Sequence, residues 1–308
     1  MKKLVSIVIP AYNEEDCINE LADRLILLFA LEINYNFEVV IIENGSTDST
    51  LDKLIEISKK DSRFKTLVLS RNFRMDGGVT AGLDYINGDA CVIMTADLQD
   101  PPELIPDFLR LWEIGYENIF GVVTKRNGTN IIRRINSQIF YWVAGKLTDG
   151  RIPRNASDFR LVDKKLYIAV KSMKERNRFV RGLFAWVGFK SIGVPMERPR
   201  RHGGISKAHT FKVIDLAFKG IFAHSYKPLR IITVFGLLLS GSSFLSIFPL
   251  AYLWLSHGVP FAGFGTLVSL TLLLIGIFTL MIGILSEYIG LIYEEVKSRP
   301  NYIVSDFF

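Results

Sequence analysis

The sequence predicts an α/β domain built on a mainly parallel sheet and followed by a two-helix transmembrane hairpin. Three observations lead to this fold class. Strand and helix patterns alternate over residues 1–123, acidic residues follow the short apolar runs, and residues 231–286 contain no Lys, Arg, Asp or Glu. Alternating strands and helices are typical of a doubly wound parallel sheet.

The first half of the chain has five short apolar runs typical of buried strands. Between them lie segments with apolar residues at helical spacing. The predicted strands are 4–9, 38–43, 65–69, 90–95 and 118–123, and the predicted helices are 15–30, 49–60, 77–87 and 102–114. No Gly-x-Gly-x-x-Gly motif follows the first strand, so the sequence lacks a dinucleotide-binding fingerprint. Farther along, 157–160 begins a strand or a helix, 177–187 is predicted helical and 190–197 extended.

The uncharged stretch holds two apolar blocks, at about 231–255 and 264–286, and the predicted transmembrane helices lie at about 231–255 and 264–288. Each can cross a hydrocarbon core of roughly 30 Å as a helix, and the alternative is a buried hairpin in a soluble protein. Lys and Arg flank the blocks and are absent between them, which places both ends of the chain in the cytoplasm. The predicted domains are therefore 1–204, an amphipathic interfacial region at 205–228, two transmembrane helices within 229–292, and a cytoplasmic tail at 293–308. The interfacial helix has an alternative, packing on the soluble core.

Three acidic residues follow the fourth predicted strand: Asp97, Asp100 and Glu103. Ligands of open α/β sheets bind beyond the carboxyl ends of the strands. Carboxylates at that place suit a hard divalent cation that binds a substrate phosphate. The alternative is an acidic helix N-terminus, because Pro101 and Pro102 fit a first helical turn.

Short motifs occur in a fixed order along nearly the whole chain, at 6–15, 43–50, 69–73, 80–84, 96–103, 157–160, 177–189 and 206–207, with Lys227-Pro-Leu-Arg230 before the uncharged stretch. This ordered set resembles family 2 glycosyltransferases of the GT-A fold. Among them it is most similar to polyprenyl-phosphate glycosyltransferases, which include bactoprenol glucosyltransferases and dolichol-phosphate mannose synthases.

The resemblance implies roles for individual residues. The positions implied to bind a nucleotide-diphosphate sugar, expected to be a UDP-sugar, are Pro10, Tyr12, Glu14, Glu43, Gly45, Ser46, Arg71 and Asp97. Asp97 would also bind Mg²⁺ or Mn²⁺ and act in catalysis. Asp158 stands where the family carries its proposed catalytic base. The residues implied to hold the acceptor phosphate are Arg201, Ser206 and Lys207, because basic side chains clamp phosphate oxygens.

The resemblance also implies the reaction and its setting. One sugar would pass, with inversion, to a polyprenyl phosphate such as undecaprenyl phosphate, for modification of cell-envelope glycans. The enzyme would be a multi-pass protein of the cytoplasmic membrane and a homo-oligomer, a tetramer by the resemblance. Nucleic acid is not an expected partner.

Three positions depart from the family pattern. Asn44 replaces an acid of the usual Asp-Asp-Gly-Ser, and Thr95 replaces the first acid of Asp-Ala-Asp. The segment after Arg71-Asn-Phe reads Arg-Met-Asp76 instead of Gly, then Lys or His, then an acid. The departures leave open a catalytically impaired membrane scaffold that binds nucleotide or lipid. A processive polysaccharide synthase is a third alternative, although its Gln-x-x-Arg-Trp signature is absent.

Overall fold

The structure is a computed structural model that describes residues 2–126, 156–176, 178–198, scattered positions between 232 and 256, and 263–308. The chain divides into two compact units. The first contains Met1–Ala217 and Ser298–Phe308, and the second contains Phe218–Lys297. The interfacial helix predicted at 205–228 lies outside the described residues.

The first unit is an α/β domain around one eight-stranded sheet. Its strands are β1 (Lys3–Ala11), β2 (Tyr35–Glu43), β3 (Phe64–Leu69), β4 (Ala90–Ile93), β5 (Asn118–Arg126), β6 (Ala156–Asp163), β7 (Ser191–Arg198) and β8 (Val304–Phe307). Its helices are α1 (Ile18–Leu31), α2 (Thr50–Lys60), α3 (Arg74–Asp84), α4 (Ile105–Glu113), α5 (Lys164–Ser172) and α6 (Val180–Trp186), and a short 3₁₀ turn (Pro102–Leu104) precedes α4.

The strands lie in the order β7-β5-β6-β4-β1-β2-β3-β8. The four central strands β4, β1, β2 and β3 are parallel, and β7 is parallel to β5. Strand β6 runs antiparallel to both β4 and β5, and β8 runs antiparallel to β3. The mainly parallel sheet is thus confirmed, with antiparallel strands toward both edges. The segment at 157–160 belongs to a strand.

Helices cover both faces of the sheet, which explains why the central strands are apolar without alternation. Ile7 and Ile9 pack with α1, α2 and α4, whereas Val8 points to the opposite face and packs with α3, α5 and α6. Successive side chains of a strand point to opposite faces, so both layers need apolar partners. The burial of both faces leaves the strand ends as the place where polar residues gather.

The C-terminal segment returns to the sheet. Strand β8 pairs with β3, and the backbone N–H groups of Thr66 and Phe308 donate to each other's carbonyl oxygens at 2.8 Å. The Tyr302 hydroxyl donates to Asp84 at the end of α3, at 2.7 Å. The segment predicted as a tail at 293–308 therefore contains the last turns of a helix, a connection and an edge strand.

The second unit contains α7 (Phe264–Lys297). Among the described residues, one helical stretch, Leu273–Lys297, is long and apolar enough to cross a membrane. Its apolar side chains are largely exposed, as in Leu273, Phe278 and Ile282. The described positions between 232 and 256 are also helical, but the gaps between them leave the predicted two-helix hairpin incompletely described.

Candidate active site

The loops that follow β1 and β2 are joined by hydrogen bonds. The Asn13 N–H donates to Ser46 Oγ at 3.0 Å, and the Thr47 N–H donates to Asn13 Oδ1 at 2.8 Å. The Glu14 N–H donates to Thr50 Oγ1 at 3.0 Å. Asn13 has a φ of 54°, a left-handed conformation that asparagine tolerates better than most residues. These bonds bring the predicted residues Glu14 and Ser46, and the loop that carries Tyr12, to one edge of the sheet.

Glu43 ends β2 beside this loop and is 3% exposed. Its carboxylate accepts hydrogen bonds from the backbone N–H groups of Gly45, at 3.1 Å, and Ser46. Gly45 has a φ of 72°, and a Cβ there would lie 2.7 Å from the carbonyl carbon of Arg71. Glu43 thus shapes the Gly45 turn, and the turn fits closely against Arg71. The Arg71 guanidinium lies 4.3 Å from the centre of the Phe73 ring.

Pro10 lies at the end of β1 and packs against α3. Pro10 is paired in register with Ile42 of β2. A Cβ atom added to Gly78 of α3 would lie 3.0 Å from the Pro10 Cβ. The Pro10 side chain is partly exposed. It therefore belongs to the same edge of the sheet as Glu43.

Asn44 links the end of β2 to the start of α3. Its Oδ1 accepts the Phe73 N–H at 2.8 Å, and its Nδ2 donates to the Arg74 carbonyl at 2.9 Å. A carboxylate can only accept hydrogen bonds, so aspartate could not make the second bond. Arg74 has a φ of 64°, and the amide holds this strained turn. The departure at position 44 therefore has a structural reason.

Thr95 joins two carboxylates in the loop after β4. Its Oγ1 lies 2.8 Å from Asp97 Oδ1 and 2.7 Å from Asp100 Oδ2. The Thr95 N–H also donates to Asp100 at 3.0 Å, and the Gln99 N–H donates to Asp97 at 3.3 Å. Leu98, buried between the two acids, has a φ of 58°. The loop is thus held in a conformation that brings two acidic side chains onto one hydroxyl.

The donor atoms of this loop fit a divalent cation such as Mg²⁺ or Mn²⁺. Carboxylate and hydroxyl oxygens are suitable ligands for hard cations, and Mg²⁺ is commonly bound by one or two carboxylates together with substrate phosphates. In the described part of the chain, no group of three or more His, Cys, Asp or Glu side chains is arranged to hold a metal. A cation at Asp97 would therefore take several of its ligands from the donor diphosphate and water.

A small cleft opens beside the predicted catalytic residue Asp158. Its lining includes Asp76, Ile93, Asp158, Arg160, Arg181 and Phe184. Arg181 forms a two-bond ion pair with Asp158, with Nε–Oδ1 at 2.8 Å and Nη2–Oδ2 at 2.5 Å. Burial opposes ionisation of Asp158, but the Arg181 guanidinium outweighs it and lowers the pKa of this carboxyl. Asp158 is accordingly ionised at neutral pH.

Arg160 lies beneath this pair and is 3% exposed. Burial lowers its pKa to about 10. Its guanidinium donates to the backbone carbonyls of Ser157 and Asp158 and lies 4.9 Å from the centre of the Phe184 ring. Arg160 is therefore a buried cation in the lining of the cleft.

The sequence did not single out Arg181, Arg160 or Asp76 as site residues. The sequence feature that could have identified Arg181 is its place in the motif at 177–189. Arg178 and Arg181 stand three residues apart there. Spacing alone does not show which of these arginines points toward Asp158.

Arg198, the last residue of β7, contacts the acidic loop that follows β4. Its Nη2 is 3.4 Å from Asp100 Oδ1, and its buried Nε has no hydrogen-bond partner among the described residues. The predicted acceptor residues follow a few positions later. Arg201, Ser206 and Lys207 lie outside the described residues.

Comparisons with known proteins identify the family of the chain. The family model Glycosyl transferase family 2 matches residues 6–175. The uncharacterized glycosyltransferase YkcC of Bacillus subtilis is 42% identical over 97% of this chain and 92% of its own length. The SfII prophage-derived bactoprenol glucosyl transferase of Shigella flexneri is 35% identical over 97% of both chains.

A solved structure has the same fold. The mannosyl-3-phosphoglycerate synthase of Rubrobacter xylanophilus aligns with a TM-score of 0.50 at 15% identity, over 76% of this chain and 75% of its own. At this identity the likeness concerns the fold alone. Together with the family match over residues 6–175, these findings show that the chain belongs to glycosyl transferase family 2.

Proposed function

We propose that this glycosyltransferase moves one sugar from a nucleotide-diphosphate sugar, a UDP-sugar, to a polyprenyl phosphate such as undecaprenyl phosphate. The observation that carries the proposal is the 35% identity to a bactoprenol glucosyl transferase over 97% of the chain. The lipid product would serve modification of cell-envelope glycans. A homo-oligomer, a tetramer by resemblance, is part of the same proposal.

The donor side of the reaction belongs to the carboxyl ends of β1, β2 and β4. The loop with Tyr12 and Glu14, and the turn shaped by Glu43, would hold the nucleoside. Asp97 would hold Mg²⁺ or Mn²⁺ against the diphosphate, where a cation offsets the charge that develops on the leaving group. Parallel strands end at one edge of the sheet, so these groups would act on a single ligand.

The acceptor side would belong to the cleft beside Asp158 and to the basic segment that contains Arg201, Ser206 and Lys207. A phosphate monoester oxygen is already anionic and attacks the anomeric carbon without prior loss of a proton. The new bond forms between this oxygen and the anomeric carbon, while the bond to the diphosphate breaks and its electron pair leaves on the phosphate oxygen. Asp158 is held ionised by Arg181. It therefore acts by orienting the attack and positioning charge, which are the main sources of catalysis in such a transfer.

The path of the chain supports a hairpin through the membrane. The first unit contains both Met1–Ala217 and Ser298–Phe308, and β8 pairs with β3 within its sheet. A segment that leaves this unit and returns to it must cross a bilayer an even number of times. If α7 crosses once, the other predicted span, at about 231–255, would supply the second crossing. The proposed topology therefore has two spans, with the catalytic unit and both termini in the cytoplasm.

The test of the proposal is direct. Purified full-length protein in detergent is incubated with undecaprenyl phosphate, Mn²⁺ or Mg²⁺ and a panel of nucleotide sugars. The lipid product and the released nucleoside diphosphate are followed by mass spectrometry. We expect one sugar on the lipid, with loss of product in Asp97→Asn. The matched control is Asp107→Asn, at a half-exposed acid of α4 that pairs with Arg110, which should leave turnover unchanged.

A catalytically impaired scaffold predicts a different result. Such a protein binds nucleotide but forms no product with any donor, and Asp97→Asn and Asp158→Asn leave its cellular function intact. Asn44 and Thr95, the departures that suggested it, both have structural partners in the site. These contacts give both departures a structural explanation that does not require loss of activity.

A further inference from the structure

Asp76 lies at the third position of α3 and faces the cleft beside Asp158. Its Oδ1 accepts the backbone N–H of Val180 at 2.9 Å, and Val180 is the first residue of α6. The next residue, Arg181, forms the two-bond ion pair with Asp158. A continuous chain of contacts therefore runs from the Asp76 carboxylate through the start of α6 to the Asp158 carboxylate.

We propose that Asp76 is a positioning residue for the transfer reaction: by fixing the first residue of α6, its carboxylate aims Arg181 at Asp158. This inference rests on the proposed function, because it assigns Asp76 a part in that reaction. The short length of α6 gives such an anchor a larger share in holding its first turn. The helix spans Val180–Trp186, and within it few backbone bonds can hold the first turn in place.

The electrostatic surroundings agree with a functional position. Burial raises the pKa of Asp76 to about 6. The Val180 N–H opposes the rise, Asp158 on β6 adds to it, and Arg181 and Arg178 oppose it. A carboxylate kept in such a place costs folding free energy at neutral pH. A carboxyl group with a strongly perturbed pKa that lines a cleft is characteristic of functional sites.

The experiment compares Asp76→Asn, Asp76→Ala and Asp52→Asn in the full-length enzyme at pH 7.5. Asp52 is the matched control, because it is exposed and takes the same third position in α2, a helix of the same length. Asparagine can still accept the Val180 N–H but carries no charge. We expect kcat to fall about fivefold to tenfold in Asp76→Asn, with the KM for the nucleotide sugar changed less than about twofold, because a neutral acceptor holds the N–H less firmly.

The thermal midpoint should move in the opposite direction to kcat. Removing a buried charge should raise the midpoint of Asp76→Asn by about 2–8 °C. Asp76→Ala leaves the Val180 N–H without its acceptor, so its kcat should fall further and its midpoint should lie below that of Asp76→Asn. Asp52→Asn should match the wild type in both measurements.

A second comparison tests the route through Arg181. If Asp76 acts by aiming this guanidinium, then Arg181→Gln and the double variant Asp76→Asn/Arg181→Gln should have the same kcat, because contacting residues on one route are not additive. If the losses of kcat in the two single variants add in the double variant, Asp76 does not act through Arg181.

Two other outcomes would overturn the inference while leaving the proposed function standing. The first is a wild-type kcat in Asp76→Asn, and the second is a joint fall of kcat and thermal midpoint, which indicates a purely structural role. Absence of transfer by the wild type with every donor would refute the proposed function, and the inference would fall with it.

Discussion

Thr95→Val removes the hydroxyl that joins Asp97 and Asp100 while nearly keeping the shape of the side chain. The Oγ1 atom lies 2.8 Å from one carboxylate and 2.7 Å from the other, and it carries a single proton. It therefore donates one hydrogen bond to a charged acceptor at a time. Such a bond contributes about 1.5–3 kcal/mol to stability. The variant leaves two neighbouring carboxylates without their shared donor.

The expected result is a fall in the thermal midpoint of the catalytic unit. For a domain of this size, each kcal/mol shifts the midpoint by about 2–4 °C, so the fall should be about 3–12 °C. The assay is thermal unfolding of the full-length protein in detergent, with and without Mn²⁺ and UDP. A cation near Asp97 offsets the repulsion between the carboxylates, so the fall should be smaller when both ligands are present.

Thr124→Val is the matched control for this prediction. Its hydroxyl donates to the neutral Met196 carbonyl at 3.2 Å, at an exposed position on β5. The loss there should be below about 1 kcal/mol. Equal effects of the two variants, or no fall in Thr95→Val, would refute the assignment of Thr95 as the hydrogen-bond bridge of the acidic loop.

Three further predictions follow from the described contacts. Asn44→Asp should destabilise the protein by about 1–3 kcal/mol in chemical denaturation, because it removes the donor to the Arg74 carbonyl; an unchanged midpoint would contradict this account. Gly45→Ala should cost more than about 1 kcal/mol and weaken nucleotide binding in calorimetry, because of its φ of 72° and its approach to Arg71; binding as tight as in the wild type would count against it. The pKa of Asp76 is raised to about 6, so between pH 4 and 6 the native state holds a proton that the unfolded chain has released. The free energy of unfolding should therefore fall by up to about 3 kcal/mol as pH rises from 4 through 6. This fall should be absent in Asp76→Asn, and an identical pH dependence in both proteins would contradict the role of Asp76 in it.

Much of the catalytic fold was predictable because its central strands are buried on both faces. The runs that contain Ile7 and Val92 are buried and mostly apolar, and the strands predicted from them lie close to the observed β1 and β4. Strand β8 was not predicted. It is a four-residue edge strand that follows a long apolar helix, and what identifies it is its pairing with β3, a contact distant in sequence.

The candidate site was predictable where its residues follow strands directly. Glu43 and Asp97 end or follow β2 and β4, so the edge of the sheet groups them. The partners of Asp158 were harder to predict. The guanidinium that pairs with it comes from α6, and the anchor of that helix comes from α3, so the arrangement depends on the packing of helices against the sheet. In the sequence, Thr95 stands where the family pattern has an acid. In the structure, its hydroxyl lies within hydrogen-bond distance of both Asp97 and Asp100.

Transfer of a sugar to a polyprenyl phosphate is best tested by the mass of the lipid. Full-length protein is incubated with undecaprenyl phosphate, Mn²⁺ and each nucleotide sugar in turn. The account predicts that one donor adds a single sugar to the lipid phosphate, with an equal amount of nucleoside diphosphate released and no product in Asp97→Asn. Unchanged lipid with every donor, in a preparation that still binds nucleotide, would contradict it.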